Sequence, residues 1–143
     1  MRYDASKPLP MPDPESAPFW EAARNDTLVI QRCGLCDHAR FPATTYCPVC
    51  RADNHAWIKA SGRGRLFSWI VVHHPVPAAA YRDDVPYLVA LVTLEEGPRI
   101  VTNLIDCEGG AIYADMPLIV AFVGAADGFK LPVFRPISEL GGV

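Results

Sequence analysis

The chain lacks any apolar run long enough to cross a membrane; none approaches the roughly 18 unbroken apolar residues of a spanning helix. Its first eleven residues are polar and proline-rich, with no apolar h-region, which excludes a secretory signal. A cytoplasmic location is therefore expected, where thiols stay reduced. Positive charge is short: 13 Lys and Arg stand against 16 Asp and Glu, a formal charge of -3. That balance gives no broad attraction for nucleic acid or an anionic membrane surface. A phosphate-binding glycine loop, a nucleophile elbow, internal repeats and long low-complexity segments are also missing.

What is present is a C-x2-C-x10-C-x2-C array formed by Cys33, Cys36, Cys47 and Cys50. Each C-x2-C pair can wrap one edge of a metal ion, and two pairs complete a tetrahedral thiolate cage. A reducing compartment argues against the alternative of two disulfides. Zinc is the leading metal, and iron fits four thiolates as well. A closed cage leaves no open position for water or substrate, so the array speaks for architecture. About thirty residues around it cannot bury enough surface to fold alone. Metal binding, worth roughly 10–16 kcal/mol, would supply the difference. Phe41, Pro42, Tyr46, Trp57 and Ile58 are expected to cover the metal.

Upstream, Asp13-Pro14-Glu15 reads as a helix start: an Asp cap, Pro at the first helical position, and Glu at the positive end of the dipole. The helix is predicted over 14–24, ended by Asn25-Asp26. Phe19, Trp20 and Ala23 share one face. That face either packs on its own domain or docks a partner, with Phe19 and Trp20 as contacts and Trp20 as anchor.

Thr27 to Arg32 reads as a strand entering the first cysteine pair. From Gly62 five short strands follow, over 65–74, 87–95, 99–107, 117–123 and 131–136. Glu96-Gly97-Pro98 and Asp127-Gly128 mark turns. Five strands in about 75 residues indicate a small β-barrel or sandwich. The second is apolar on both faces, which calls for a cover outside the barrel: the helix, the ribbon or another subunit. Gly62 and Gly64 permit tight bending at the first strand. Residues 75–86 form the longest connection, either a surface link or an ordered binding loop. The expected domains are a helical segment 1–27, a ribbon 28–60 and a barrel 61–143.

Candidates for catalysis are weak. His73 and His74, adjacent on a strand, would face opposite sides. Cys107 has no local activating base and reads as a buried thiol. Asp83-Asp84 and Glu95-Glu96 read as solvated charges. Arg63, Arg65, Arg82 and Arg99 are candidates for the phosphates of a ligand or the carboxylates of a partner. Phe67, Trp69, Tyr87 and Phe134 form either a base-stacking platform or core.

The motifs Pro-Glu-Ser-x-Pro-Phe-Trp at 14–20, Leu-Val-Ile-Gln-Arg-Cys at 28–33, Phe41-Pro42, Cys-Pro-Val-Cys at 47–50 and Trp57 resemble a known family, and the likeness continues to the end of the barrel. Ser-Gly-Arg-Gly at 61–64, Pro86-Tyr87, Glu-Glu-Gly-Pro-Arg at 95–99, Asn103-Leu104 and Leu-Pro-Val-Phe-Arg-Pro at 131–136 carry it there. This family joins an N-terminal rubredoxin-like zinc ribbon to an OB-fold, was long filed as a domain of unknown function, and is linked to acyl-CoA metabolism. One departure is Asp37, where glycine commonly follows the second cysteine of a knuckle; Asp visits the left-handed conformation more readily than most residues.

The resemblance implies a mainly β fold: N-terminal helix, four-cysteine zinc ribbon and five-stranded OB-fold barrel. It implies a non-catalytic accessory subunit for a thiolase-like, acyltransferase or aldolase partner, in a hetero-oligomer or a homodimer, with acyl-CoA as a ligand the two enclose. The arginines named above would then meet CoA phosphates. A nucleic-acid-binding module and a stand-alone acyl-CoA binder are the alternatives.

Overall fold

A computed structural model of the chain describes residues 3–137. The first regular element is α1 (Ala17–Arg24). Its start is built earlier, by a reciprocal pair in which the Ser16 N–H donates to Asp13 Oδ1 at 2.7 Å and the Asp13 N–H donates to Ser16 Oγ at 3.0 Å. The Ala17 N–H then donates to the Asp13 carbonyl at 2.8 Å. Asp13 thus caps the first turn, as its side chain and the following proline predict, although regular helix begins three residues later than expected. The Ser16 N–H also holds the Asp13 carboxyl below its ordinary pKa. Asp26, at φ 57°, takes the left-handed conformation just past the helix end.

A small antiparallel sheet follows, of β1 (Val29–Cys33), β2 (Ala39–Arg40) and β3 (His55–Lys59), in the order β2-β1-β3. The barrel consists of β4 (Arg63–Val72), β5 (Tyr87–Leu94), β6 (Arg99–Leu104), β7 (Pro117–Gly124) and β8 (Lys130–Pro136). It closes in the order β4-β5-β6-β8-β7. Closure is antiparallel except at β6 and β8, which meet in parallel at Leu104 and Phe134.

The barrel interior follows from alternation. On β5, Leu88, Ala90, Val92 and Leu94 are buried and the residues between them are half-buried. Phe67 faces outward after buried Leu66, and a bulge between Leu66 and Ser68 resets the phase of β4, so Trp69 turns in opposite Ala90 and Ile70 faces outward. Gly64 is required for contact: a Cβ there would lie 2.6 Å from Val92 Cγ1 and 2.8 Å from the Thr93 carbonyl oxygen.

One core joins all parts. Phe19 of α1 and Leu28, Ile30 and Ala60 of the ribbon segment pack in the same cluster as Leu66, Val92, Leu118 and Phe134 of the barrel. The helix is also tied to β8 from outside: Trp20 meets Phe129 edge-on at 6.2 Å, Arg24 stacks on Phe129 at 4.6 Å, and Lys130 pairs with Asp26 at 2.7 Å.

The connection 75–86 contains a short helix, α2 (Ala78–Tyr81), and is strapped by the N-terminal arm. Lys7 Nζ pairs with Asp84 Oδ2 at 2.7 Å and lies over the Tyr81 ring. Tyr3 donates to Asn103 Oδ1 at 2.9 Å, and its hydroxyl is pushed up to about 12, mainly by burial. Asp84 is therefore an ion-pair partner, contrary to its reading as a solvated charge. Glu96 is corrected likewise: its carboxylate accepts the Ser61 N–H at 2.8 Å, holding the chain where it enters the barrel.

Candidate metal centre and the surfaces around it

The cysteine pairs sit in two matching turns. Cys33 and Cys36 close the turn between β1 and β2; Cys47 and Cys50 close the turn before β3. In each, the residue after the second cysteine donates back to the carbonyl of the first: Asp37 to Cys33 at 3.2 Å, Arg51 to Cys47 at 2.8 Å. Both have positive φ, 62° and 66°. Asp37 thus takes the conformation usual for glycine there, and Arg51 does the same without a sequence cue.

The four sulfurs lie within 4.8 Å of one another. Cys33 and Cys50 sulfurs are 3.5 Å apart, and Cys36 and Cys47 sulfurs 3.6 Å. A disulfide needs about 2.0 Å, whereas metal–sulfur bonds of about 2.3 Å put tetrahedral ligands about 3.8 Å apart. The spacing therefore fits a four-thiolate metal cage.

Backbone N–H groups favour the thiolate form of one cysteine in each pair, Cys33 and Cys47. The Cys36 and Leu35 N–H groups lower the Cys33 pKa. The Cys50 N–H brings Cys47 down to about 6, burial working against it. Because protons compete with metal for thiolate, acidification from about pH 7 to about pH 5 is expected to release the metal and alkalinisation over a similar span to retain it. A chromophoric metal indicator followed against pH checks this, and release on the alkaline side would contradict it.

The expected aromatic cover of the metal is not found. Tyr46 is exposed, while Phe41 packs on Phe19 at 5.3 Å and Trp57 turns toward α1. Trp57 faces the helix because the register sets it beside Gln31 on the sheet face that α1 covers, and Phe41 reaches the same face from just beyond β2.

Phe19, expected among the partner contacts, is buried in the chain's own core, whereas Trp20 stays half-buried at its edge. His73 and His74 lie beyond the end of β4 and are both exposed, so the opposite-face argument does not apply. Cys107 is half-buried, its thiol pushed up by burial and then by Asp106. Phe67 faces out, Trp69 and Phe134 face in, and Tyr87 packs against Tyr81. They form no common stacking platform.

The four arginines separate. Arg65, Thr93 and Arg99 are register neighbours across β4, β5 and β6. With Arg63 and Phe67 they line a surface cavity of about 450 Å³. Arg99 stacks on Phe67 at 3.7 Å, and its Nε donates to Thr93 Oγ1 at 3.2 Å. Arg82 stands at the opposite end of the β4–β5 hairpin. Beside the arginines, the same outer face continues as apolar rows in which Phe67, Ile70 and Val101 are 51%, 60% and 68% exposed, with Val89 and Leu91 between them.

Comparison with known proteins agrees with this anatomy. Residues 20–56 match the ChsH2 rubredoxin-like zinc ribbon domain and residues 57–123 the ChsH2 C-terminal OB-fold domain. A DUF35 domain-containing scaffold protein of Pyrococcus furiosus is 38% identical, over 68% of this chain and 71% of its own. A probable enoyl-CoA hydratase alpha subunit of Thermomonospora curvata is 41% identical over 92% of this chain, which spans only 40% of that protein's length. A solved chain from the Ltp2-ChsH2(DUF35) aldolase superposes with a TM-score of 0.80 at 40% identity, covering 90% of this chain and 98% of that one.

Proposed function

The chain belongs to the zinc-ribbon and OB-fold family of ChsH2 and the DUF35 scaffold proteins, and on that premise we propose that it is a zinc-stabilised, non-catalytic scaffold subunit of an acyl-CoA-handling complex. Its partner would be a thiolase-like, acyltransferase or aldolase enzyme that carries the reacting groups. The relatives, a scaffold protein, a probable enoyl-CoA hydratase alpha subunit and an aldolase chain, support an acyl-CoA enzyme as the partner.

The observation that carries the reading is the outer face of β4, β5 and β6. Soluble monomers rarely leave contiguous apolar rows uncovered, and here the exposed Ile70 and Val101 stand in one patch with Val89 and Leu91, continued at one end by Phe67 beneath the Arg99 guanidinium. Its composition, apolar at the centre and arginine at one end, is that of an interface core with a charged rim. In this reading Arg63, Arg65 and Arg99 meet CoA phosphates at the edge of the interface, Arg82 makes a separate contact from its own end of the barrel, and Trp20 anchors a second partner contact. In this reading zinc holds the ribbon, the metal that the matching zinc-ribbon family model names.

Co-expression with a thiolase-like enzyme encoded by a neighbouring gene is expected to yield one co-purifying complex. Ile70→Asp or Val101→Asp should weaken it by about 2 kcal/mol or more, roughly thirty-fold, while leaving the melting temperature of the isolated chain nearly unchanged. A chain that purifies alone, beside an enzyme stable and fully active without it, would overturn the scaffold reading.

A further inference from the structure

The ribbon sheet runs β2-β1-β3, so β3 has a strand on one side only. Its register with β1 tells which backbone groups that neighbour uses. The Ala60 N–H donates to the Leu28 carbonyl at 2.8 Å, and the Gly34 N–H donates to the Asn54 carbonyl at 3.0 Å. Partners in an antiparallel ladder exchange bonds at every second residue, so Ala56 and Ile58 are the β3 residues that bond to β1. The other side of β1 agrees: the Cys33 N–H points away from β3 and donates to the His38 carbonyl at 2.9 Å.

His55, Trp57 and Lys59 therefore aim their N–H and C=O groups outward, along the open edge. Among the described residues no hydrogen bond reaches these groups. His55 and Lys59 are exposed, and Trp57 is half-buried. Such an edge is a template for another strand, and proteins that keep an edge single guard it with proline, a bulge or a well-placed charge. Residues 55–59 hold no proline, and their register with β1 has no shift. The one lysine stands at the end of the strand, and the centre is Trp57 and Ile58, both strong strand formers.

The spacing of the outward groups says what fits them. They lie at three alternate positions, symmetric about Trp57. Laid antiparallel on a second copy of itself with Trp57 opposite Trp57, β3 sets His55 opposite Lys59 at both ends, and every outward N–H meets a carbonyl. A slip of two residues leaves one end without a strand partner, and a slip of one turns bonding groups toward non-bonding ones. In the centred register no two lysines face each other, and aromatic meets aromatic on the axis.

We propose that two copies of this chain associate through β3, forming one twofold sheet in the order β2-β1-β3-β3-β1-β2. Five residues of edge bury far less than the roughly 1,200 Å² of a standard stable interface, so the dimer is a weak one. The proposal does not rest on the scaffold reading, because it concerns the isolated chain and the ribbon edge. With an enzyme on each barrel face, such a dimer would bring two enzyme-bearing chains together.

The test uses the metal-loaded full chain. Sedimentation equilibrium between about 10 µM and about 1 mM is expected to show monomer passing to dimer, with a dissociation constant on the order of 0.1 mM. Over that range hydrogen exchange at the His55, Trp57 and Lys59 amides should slow by roughly three-fold or more. His55→Pro removes an outward donor and sets a ring on the edge without touching the bonds to β1, so it should abolish the dimer. If that variant fails to fold, Lys59→Pro at the other end decides in its place, and the amide comparison on the parent chain needs neither. A chain that stays monomeric to about 1 mM would overturn the proposal. So would a dimer in which these three amides exchange as fast as in the monomer, or one that the proline variants keep. Protection of the three amides that appears only on adding a thiolase-like enzyme would also overturn it, assigning the edge to the enzyme.

Discussion

Replacing Cys47 by alanine is expected to unfold the ribbon, and with it much of the cooperative structure, rather than merely to weaken a site. The sheet beneath the cysteines is small: β2 has two residues, and β1 and β3 have five each. Structural metal binding is worth roughly 10–16 kcal/mol, comparable to or larger than the whole 5–15 kcal/mol of a typical domain. Cys47 is 1% exposed and holds one of the two thiolates favoured by backbone N–H groups, so no neighbouring group or water can easily replace its sulfur. The damage should spread, because Phe19, Leu28, Ile30 and Ala60 share a cluster with the barrel core. The three tryptophans separate the two outcomes: Trp20 and Trp57 report on helix and ribbon, Trp69 on the barrel. In a Trp20→Phe, Trp57→Phe background, thermal unfolding of Trp69 should shift downward on Cys47→Ala and on removing the metal with a chelator. A Cys47→Ala protein that keeps its metal and its melting curve would refute this.

Phe134→Ala is expected to cost about 3–5 kcal/mol, the usual range for emptying a buried phenylalanine site. Phe134 is the largest fully buried side chain among the described residues. It also stands where the barrel closes: its backbone pairs with Leu104 in the parallel contact between β6 and β8, and its carbonyl accepts the Ile105 N–H at 2.9 Å. That contact is short, and beside it Thr102 Oγ1 of β6 donates to the Pro132 carbonyl of β8 at 3.0 Å, so few bonds hold those strands together if the ring beneath them is lost. Chemical denaturation should show a fall in unfolding free energy of that size, with the thiolate cage and its metal stoichiometry retained until the global transition. Phe134→Leu, which keeps most of the volume, should recover more than half of the loss. If Phe134→Ala melts within about 1 kcal/mol of the parent, the barrel does not depend on this ring as the packing indicates.

These two predictions differ in how far the sequence foretold them. The metal centre was legible because C-x2-C spacing is a local constraint: two residues between thiols place both on one turn whatever the rest of the chain does. The β5 wall was legible for a similar reason, since Tyr87–Leu94 is apolar at every second position and at most of those between. Asp13 announced the start of α1 through its side chain alone, although regular helix begins at Ala17.

Other features depended on register and on distant partners. The single-residue bulge after Leu66 decides that Trp69 faces inward and Ile70 outward; strict alternation gives the reverse. Lys7 and Asp84 are separated by α1, the whole ribbon, β4 and most of its following loop, so neither could be assigned its partner from the chain. Nothing local in the chain pairs Gln31 with Arg40; they become a buried pair because β1 and β2 bring them opposite each other and α1 covers both.

By itself, then, the sequence determined the four-thiolate cage, the number of barrel strands and the order of helix, ribbon and barrel, because each follows from contacts a few residues apart. Only the tertiary structure decided which rings face the core, which arginines share a face, and which edge of the ribbon sheet is left without a strand. Those outcomes depend on which strands meet and in what register, and local spacing carries no information about either.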